Sequence, residues 1–308
     1  MDFRDILDRS TFLTGPTSVG KTAVGLSLAR RLGAEVVAMD SMTVYRGMDV
    51  GTAKPSAAER AEVPHHLLDV IEPWESASVF LYREWAVEAA RGVVGRGRRV
   101  LFVGGTALYM KALLRGLFEG PPAVEAIRAE LEALPSAELH RRLAEVDPPM
   151  AARLHPNDRT RAVRAIEVYE LTGRSLSSMQ REHAEASTHP RVFALARPRG
   201  EMVERVDARV GAMMAAGLVD EVRGLLDAPR PIGPVASKGV GYRQVIEHLR
   251  GVRDLASTTD LIRLRTRQFA KRQMTWFRNL AEVRLVPVGS GESADGVAGR
   301  LAAEIAGD

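Results

Sequence analysis

The chain contains no cysteine. Disulfide bonds, thiol catalysis and zinc modules built on cysteine are therefore excluded. A protein without cysteine is compatible with a reducing compartment, and we expect this one in the cytoplasm.

Long apolar runs are also missing. No stretch approaches the ~20 consecutive apolar residues that a membrane-spanning helix needs, so we expect no membrane partner. The 308 residues are 45% hydrophobic and 27% charged, which is ordinary for a globular protein with one large domain or slightly more.

An excess of either charge is small overall, because the net charge is only +4. Its distribution is uneven, however. Between Lys238 and Arg278 there are ten lysines and arginines against three acidic residues. Such a stretch favours a polyanionic partner, although on charge alone a solvated helix face explains it equally well.

A phosphate-binding motif stands near the start of the chain. The segment Gly15-Pro16-Thr17-Ser18-Val19-Gly20-Lys21-Thr22 follows the apolar pair Phe12-Leu13 and opens a helical pattern from Thr22 to Leu32. Strand, glycine loop and helix are the context of a P-loop, whose backbone N–H groups bind phosphate oxygens. We expect Lys21 to add a positive charge and the Thr22 hydroxyl to bind Mg²⁺.

Two further strand ends are informative. The apolar run Glu35–Asp40 predicts a buried strand ending in an acid, which sheet geometry places near the P-loop, although Asp40 as a simple turn cap stays open. A third strand, Arg99 to Val103, runs into Gly104-Gly105-Thr106, where NTPases that cleave the γ-phosphate usually carry a metal-binding acid. Its absence points away from motor-type ATPases and towards a cradle that holds phosphate for another purpose.

After the break at Gly120-Pro121-Pro122, the sequence pattern becomes that of short helices. Strand character returns only at Arg191–Ala196. We therefore predict an α/β fold, a P-loop NTPase-like parallel sheet flanked by helices, with an all-helical insertion. The predicted domains are residues 1–119 and 191–308 for the core and 120–190 for the insertion. The predicted insertion helices are Val124–Leu134, Ser136–Val146, Pro149–Leu154, Arg159–Leu171 and Ser175–His183.

The basic stretch near the end of the chain holds a turn and a long helix. Lys238 to Arg243 is a glycine-flanked turn that suits contact with a phosphate or a base. The helix is predicted from Thr259 to Leu280, with Ile262, Phe269 and Trp276 as its buried stripe and a basic ridge beside it.

Seven blocks, spread over nearly the whole chain, resemble the tRNA dimethylallyltransferases, also called tRNA isopentenyltransferases. The blocks are Gly15–Thr22, Asp40–Pro55, Pro64–Asp69, Val103–Tyr109, His155–Asp158, Gly239–Gln244 and Arg267–Trp276. Two departures are the unusual side chains of Met42, Thr43 and Val44, and Gly239 where the family has a cysteine.

The resemblance implies transfer of a dimethylallyl group from dimethylallyl diphosphate to N6 of the adenosine on the 3′ side of the tRNA anticodon. It implies Gly15 to Thr22 as diphosphate ligands, Thr22 on Mg²⁺ as the cofactor, Lys21 and Thr22 in catalysis, and Asp40 as general base. The anticodon stem-loop of tRNA would bind a set of residues from both domains of a monomer. That set is Asp40, Ser41, Met42, Thr43, Thr106, Arg128, Thr160, Arg161, Arg164, Lys238, Gly239, Gly241, Tyr242 and Arg243.

Two other functions compete with this one. A small-molecule P-loop kinase would need an arginine lid over ATP, for which the helical block is a candidate, and ATP binding by the P-loop stays open. An RNA-binding GTPase-like module would leave Asp40 without a role, and the sequence lacks the Asn-Lys-x-Asp run that reads guanine.

Overall fold

The parallel sheet organises the larger part of the molecule. In the computed structural model, which describes residues 3–116, 120–182 and 191–307, the strands are β1 (Thr11–Thr14), β2 (Ala34–Ala38), β3 (His65–His66), β4 (Arg99–Val103), β5 (Val192–Ala196) and β6 (Arg284–Pro287). Within the described ranges they form a six-stranded sheet in the order β3-β2-β4-β1-β5-β6, with every pair parallel. The predicted α/β class is confirmed.

Helices cover both faces of this sheet. Over both units, the α-helices of the described ranges are α1 (Phe3–Asp8), α2 (Lys21–Leu32), α3 (Ala57–Glu62), α4 (Val79–Gly95), α5 (Ala107–Arg115), α6 (Glu125–Ala133), α7 (Ser136–Val146), α8 (Pro148–Ala151), α9 (Arg159–Thr172), α10 (Leu176–Glu182), α11 (Arg199–Ala215), α12 (Leu218–Asp227), α13 (Tyr242–Leu249), α14 (Leu255–Arg278) and α15 (Ala294–Gly307).

Residues on the two faces of the central strand β1 pack into two separate hydrophobic cores. Phe12 packs with Phe102 of β4 at a ring-centroid distance of 4.6 Å, in a core shared with α1, α4 and α5. Its neighbour Leu13 points to the opposite face, into a core with α2 and α15. Burial on both faces is typical of a parallel sheet, and it brings the carboxyl ends of all strands to one edge.

A third core lies beyond that edge. The loop after β2 contributes Val44, Tyr45 and Met48, which pack with residues of α11, α12 and α13 such as Leu218 and Tyr242. This core holds the loop that follows Asp40 against the helices that precede α14.

The chain divides into two compact units. The first holds the sheet and consists of the residues up to Leu114 and, among those described, from Arg191 onwards. The second begins at Arg115, and its described part contains helices but no strand. Its own core includes Leu139, Leu143 and Ile166. The predicted boundaries at residues 119 and 190, and the predicted helix end at His183, lie outside the described residues.

The predicted buried stripe of α14 is wrong at two of its three positions. Ile262 is buried, but Phe269 and Trp276 are 37% and 38% exposed. The buried line instead runs through Ile262, Thr266, Ala270, Gln273 and Phe277. Steps of four residues, as from Ile262 to Thr266 and Ala270, advance around the helix in one direction, whereas heptad steps drift by about 20° in the other, so Phe269 and Trp276 lie towards the edge of the buried face. The helix also starts earlier than predicted, at Leu255, because the Asp254 side chain caps it.

Among the helices of the described ranges, none combines the length and the apolar character needed to cross a bilayer.

Candidate active site

The P-loop connects the end of β1 to the start of α2. Gly15 and Gly20 have φ values of +138° and +108°, and a Cβ on Gly15 would come within 2.8 Å of the Leu195 carbonyl oxygen. Both positions therefore favour glycine. No side chain caps the N-terminus of α2, so its backbone N–H groups remain available to an anion.

Lys21 lies at the centre of this loop. Its Nζ donates hydrogen bonds to the carbonyl oxygens of Gly15 and Pro16, both at 2.9 Å. Burial lowers the pKa of Lys21 to about 8; nearby Asp40 raises it and Arg209 lowers it further. A diphosphate in the loop would supply the negative charge that the buried ammonium lacks.

The ligand groups near Thr22 decide whether a Mg²⁺ ion fits there. Thr22 is exposed and lines the same cavity as the P-loop. Among the described residues, no group of three or more His, Asp or Glu side chains is arranged to hold a metal ion. Magnesium commonly takes most of its ligands from substrate phosphates and water, so a single threonine hydroxyl fits an ion that binds together with a diphosphate.

Asp40 follows β2, which lies two strands away from β1 in the sheet. Its Oδ1 accepts a hydrogen bond from the Met42 N–H at 2.9 Å, and the carboxylate is half-buried. The backbone that follows β4 packs tightly against the backbone just before Asp40, since a Cβ on Gly104 would collide with Met39. Thr106 closes this contact by accepting a hydrogen bond from the Ser41 N–H at 3.1 Å. The predicted proximity of Asp40 to the P-loop is thus present in the structure.

Sequence reasoning missed two arginines of α11, Arg205 and Arg209, which line the same cavity as the P-loop. Arg209 of α11 interacts electrostatically with both Lys21 and Asp40; its pKa is lowered by burial and raised by Asp40, with burial the stronger effect. Its guanidinium donates to the Thr52 carbonyl at 3.1 Å. One turn earlier on α11, Arg205 donates to the Ser18 carbonyl at 2.8 Å. The i, i+4 spacing of the two arginines was the available signal.

Gln273 was also missed as a site residue. Its Oε1 accepts the Thr17 N–H at 2.9 Å, and its Nε2 donates to the Gly105 carbonyl at 2.7 Å. The side chain is buried, so these two bonds fix the P-loop against the turn after β4.

Two cavities meet at Thr17, Asp40 and Arg209, which line both of them. The first, of about 540 Å³, contains the P-loop residues Lys21 and Thr22 as well as Thr43. The second has a volume of about 390 Å³. Its polar lining residues include Ser41, Thr106 and Lys238, and its apolar ones Met42, Met213, Val235, Ile262 and Phe269.

The basic turn forms part of the second cavity. Lys238 and Gly239 line it, and a Cβ on Gly239 would come within 2.6 Å of the Met42 side chain. Arg243 is exposed and pairs with Glu247 at 3.0 Å. Gly241 and Tyr242 are buried, and the Tyr242 hydroxyl donates to Glu221. A role for Tyr242 in tRNA binding stays a prediction, and its ring lies inside the third core rather than at the surface.

The predicted tRNA ligands of the second unit fall into two groups. Arg128 and Arg164 both bind the fully buried carboxylate of Glu167, at 2.9 and 2.7 Å. Burial acts to raise the pKa of Glu167, but these hydrogen bonds outweigh it and lower the pKa. By contrast, Thr160 and Arg161 are exposed, and the Arg161 side chain is 61% accessible. Arg128 and Arg164 therefore have a structural role within this unit, whatever else they contact.

The chain is similar to known proteins over most of its length. A family model described as IPP transferase matches residues 43–280, and one described as isopentenyl transferase matches residues 9–69. A tRNA dimethylallyltransferase of Geobacter metallireducens is 49% identical over 281 residues, which cover 89% of this chain and 91% of the relative. The corresponding protein of Thermotoga petrophila is 45% identical over 87% of this chain and 88% of its own length.

Solved structures give the same result. A full-length tRNA isopentenylpyrophosphate transferase from Bacillus halodurans superposes with a TM-score of 0.71 at 35% identity, covering 97% of both chains. A eukaryotic dimethylallyltransferase acting on tRNA reaches a TM-score of 0.82 over 97% of this chain and 78% of its own; at 24% identity it bears on the fold alone.

Proposed function

The chain belongs to the IPP transferase family, and from this premise we propose that it is a tRNA dimethylallyltransferase. It transfers a dimethylallyl group from dimethylallyl diphosphate to N6 of the adenosine on the 3′ side of the tRNA anticodon, and it releases diphosphate. The observation that carries the proposal is the meeting of two cavities at Asp40 and Arg209, one with a phosphate cradle and one with apolar walls.

The first cavity holds the diphosphate. The N–H groups at the start of α2, the Lys21 ammonium and the Arg209 guanidinium converge on it. Fixed positive charge of this kind stabilises the negative charge that develops on a leaving diphosphate. When bound, Mg²⁺ at Thr22 would neutralise part of the same charge. The allylic C–O bond can then break ahead of attack, with positive character on the carbon.

The second cavity receives the adenine. The base must leave the anticodon stack to reach a pocket, and the apolar walls formed by Met213, Val235 and Ile262 suit its ring faces. Its N6 then faces Asp40, at the wall shared with the diphosphate. As the N6–C bond forms, the amine loses a proton, and the Asp40 carboxylate accepts it. The Met42 N–H holds one carboxylate oxygen and leaves the other free to act.

The surface around the second cavity is suited to RNA. Lys238 and the exposed Arg243 supply positive charge, and the exposed Phe269 of α14, which lines the cavity, supplies an aromatic face on which a base stacks. Cytoplasmic location and a monomeric state stay predictions.

The test is mass analysis of adenosines in unmodified tRNA after incubation with the protein, Mg²⁺ and dimethylallyl diphosphate. We expect a gain of one dimethylallyl group on the adenosine beside the anticodon and none with Lys21→Ala. In parallel, dimethylallyl diphosphate should raise the melting temperature. Stabilisation by ATP together with steady ATP turnover in the absence of tRNA would favour the kinase alternative.

A further inference from the structure

Three consecutive backbone N–H groups in the loop after β2 bind one carboxylate. The N–H groups of Asp49 and Val50 donate to Glu221 Oε2 at 2.8 and 2.6 Å, and that of Gly51 donates to Oε1 at 3.1 Å. Glu221 lies in the first turn of α12, 170 positions further along the chain. An ionised carboxylate accepts such bonds more strongly than a neutral group does.

The same carboxylate binds the turn that lines the second cavity. The Tyr242 hydroxyl donates to Glu221 Oε1 at 2.6 Å, and the ring lies directly on Gly51, where a Cβ would come within 2.6 Å of it. Burial and the neighbouring Glu221 raise the pKa of Tyr242, so the hydroxyl keeps the proton that it donates. Glu221 thus holds the start of α13 and residues 49–51 together.

Thr52, the next residue in the loop, links this hydrogen-bonded segment to Arg209. The Thr52 carbonyl accepts a hydrogen bond from Arg209 at 3.1 Å, and the Thr52 hydroxyl is tied to the Met48 carbonyl at 2.6 Å. Arg209 in turn interacts with Asp40 and Lys21. A continuous chain of contacts therefore runs from Tyr242 through Glu221, residues 49–51 and Thr52 to Arg209.

We propose that Glu221 is a positioning residue that couples the 238–243 turn, on the tRNA side of the site, to Arg209, which lines both the tRNA and the diphosphate cavity. The proposal rests on the proposed function for the identity of the two substrates. Through Glu221, a shift of the turn when tRNA binds moves residues 49–52 and with them the oxygen that orients Arg209. Misplacing one preorganised charge by about 1 Å can cost on the order of 10²-fold in rate.

The test compares single-turnover transfer at saturating tRNA and dimethylallyl diphosphate with binding of Mg²⁺-pyrophosphate by calorimetry. Glu221→Gln keeps the size of the side chain but leaves one of its two positions unable to accept a hydrogen bond. We expect the rate to fall by roughly 10- to 100-fold and pyrophosphate affinity to fall by about 3- to 10-fold. The matched control is Asp220→Asn on the same helical turn, whose side chain is 78% exposed and which should behave as wild type.

A double-mutant cycle separates positioning from general destabilisation. If Glu221 acts through Arg209, Glu221→Gln should reduce the rate by less than about threefold in an Arg209→Lys background. An undiminished loss in that background, or a wild-type rate in folded Glu221→Gln, would overturn the proposal. Should Glu221→Gln fail to fold, Tyr242→Phe removes only the phenol and should lower the rate about 3- to 10-fold; an unchanged rate refutes the link to the turn. Absence of transfer by the wild type would instead refute the proposed function, while the calorimetric comparison would still test Glu221.

Discussion

Proton uptake on diphosphate binding follows from the burial of Lys21. In the empty site the pKa of Lys21 is lowered from 10.5 to about 8, chiefly by burial. A lowered lysine pKa means that the empty protein loses this charge as the pH rises through 8. A bound diphosphate favours the charged form and returns the pKa towards or above its ordinary value. Binding must therefore be accompanied by protonation of Lys21 above pH 8.

The magnitude can be worked out from these values. At pH 9 about one tenth of the empty sites carry the ammonium and nearly all bound sites do, so binding takes up ~0.9 proton at Lys21, against ~0.1 at pH 7. The same linkage weakens the affinity about tenfold between pH 7 and pH 9.

Calorimetry of pyrophosphate binding in buffers of different ionisation enthalpy measures this uptake. Lys21→Met is the control, because pyrophosphate contributes its own ionisation equally to both proteins. We expect the difference between wild type and Lys21→Met to approach one proton at pH 9 and to vanish near pH 7. Equal uptake by the two proteins at pH 9 would refute the assigned burial of the lysine charge.

Two further pairs of variants test a support of the P-loop and the roles of two arginines in the second unit. Gln273→Leu leaves the Thr17 N–H and the Gly105 carbonyl without their partner, so urea unfolding should show a loss of roughly 2 kcal/mol and pyrophosphate should bind more weakly. Gln268→Leu on the same helix is the control, because the Gln268 side chain accepts a hydrogen bond from the exposed Arg265, and it should cause neither effect. In the second unit, Arg164→Ala should lower thermal stability because it removes one ion-pair partner of the buried Glu167 carboxylate. Arg161→Ala, by contrast, should weaken tRNA binding and reduce the salt dependence of that binding without changing stability. If Arg164→Ala instead weakened tRNA binding and Arg161→Ala lowered thermal stability, the ion pair with Glu167 would not determine the role of Arg164.

The sequence predicted the parts of the site whose signal is local. The P-loop is contained in eight consecutive residues between a strand and a helix, and Asp40 follows from the rule that strand ends meet at one sheet edge. Both signals lie within a single βαβ unit, so no tertiary information was needed to place them.

The parts that sequence reasoning missed depend on long-range contacts. Gln273 binds Thr17 across 256 positions, and Glu221 binds Gly51 across 170. Neither residue differs in type from an ordinary polar helix residue. The buried face of α14 was predicted as apolar, but it includes Gln273, because the Thr17 N–H and the Gly105 carbonyl require a polar partner.

The single-turnover rate of Asp40→Asn tests most directly the claim that Asp40 accepts the proton of N6. The exchange keeps the size and hydrogen bonding of the side chain but removes the proton acceptor. The rate should fall by ~10²–10⁴-fold, while tRNA affinity changes little because asparagine can still hydrogen-bond N6. A rate within about threefold of wild type, far smaller than the loss expected for a general base, would contradict the account and leave Asp40 as a turn cap, for which asparagine is an equally good residue.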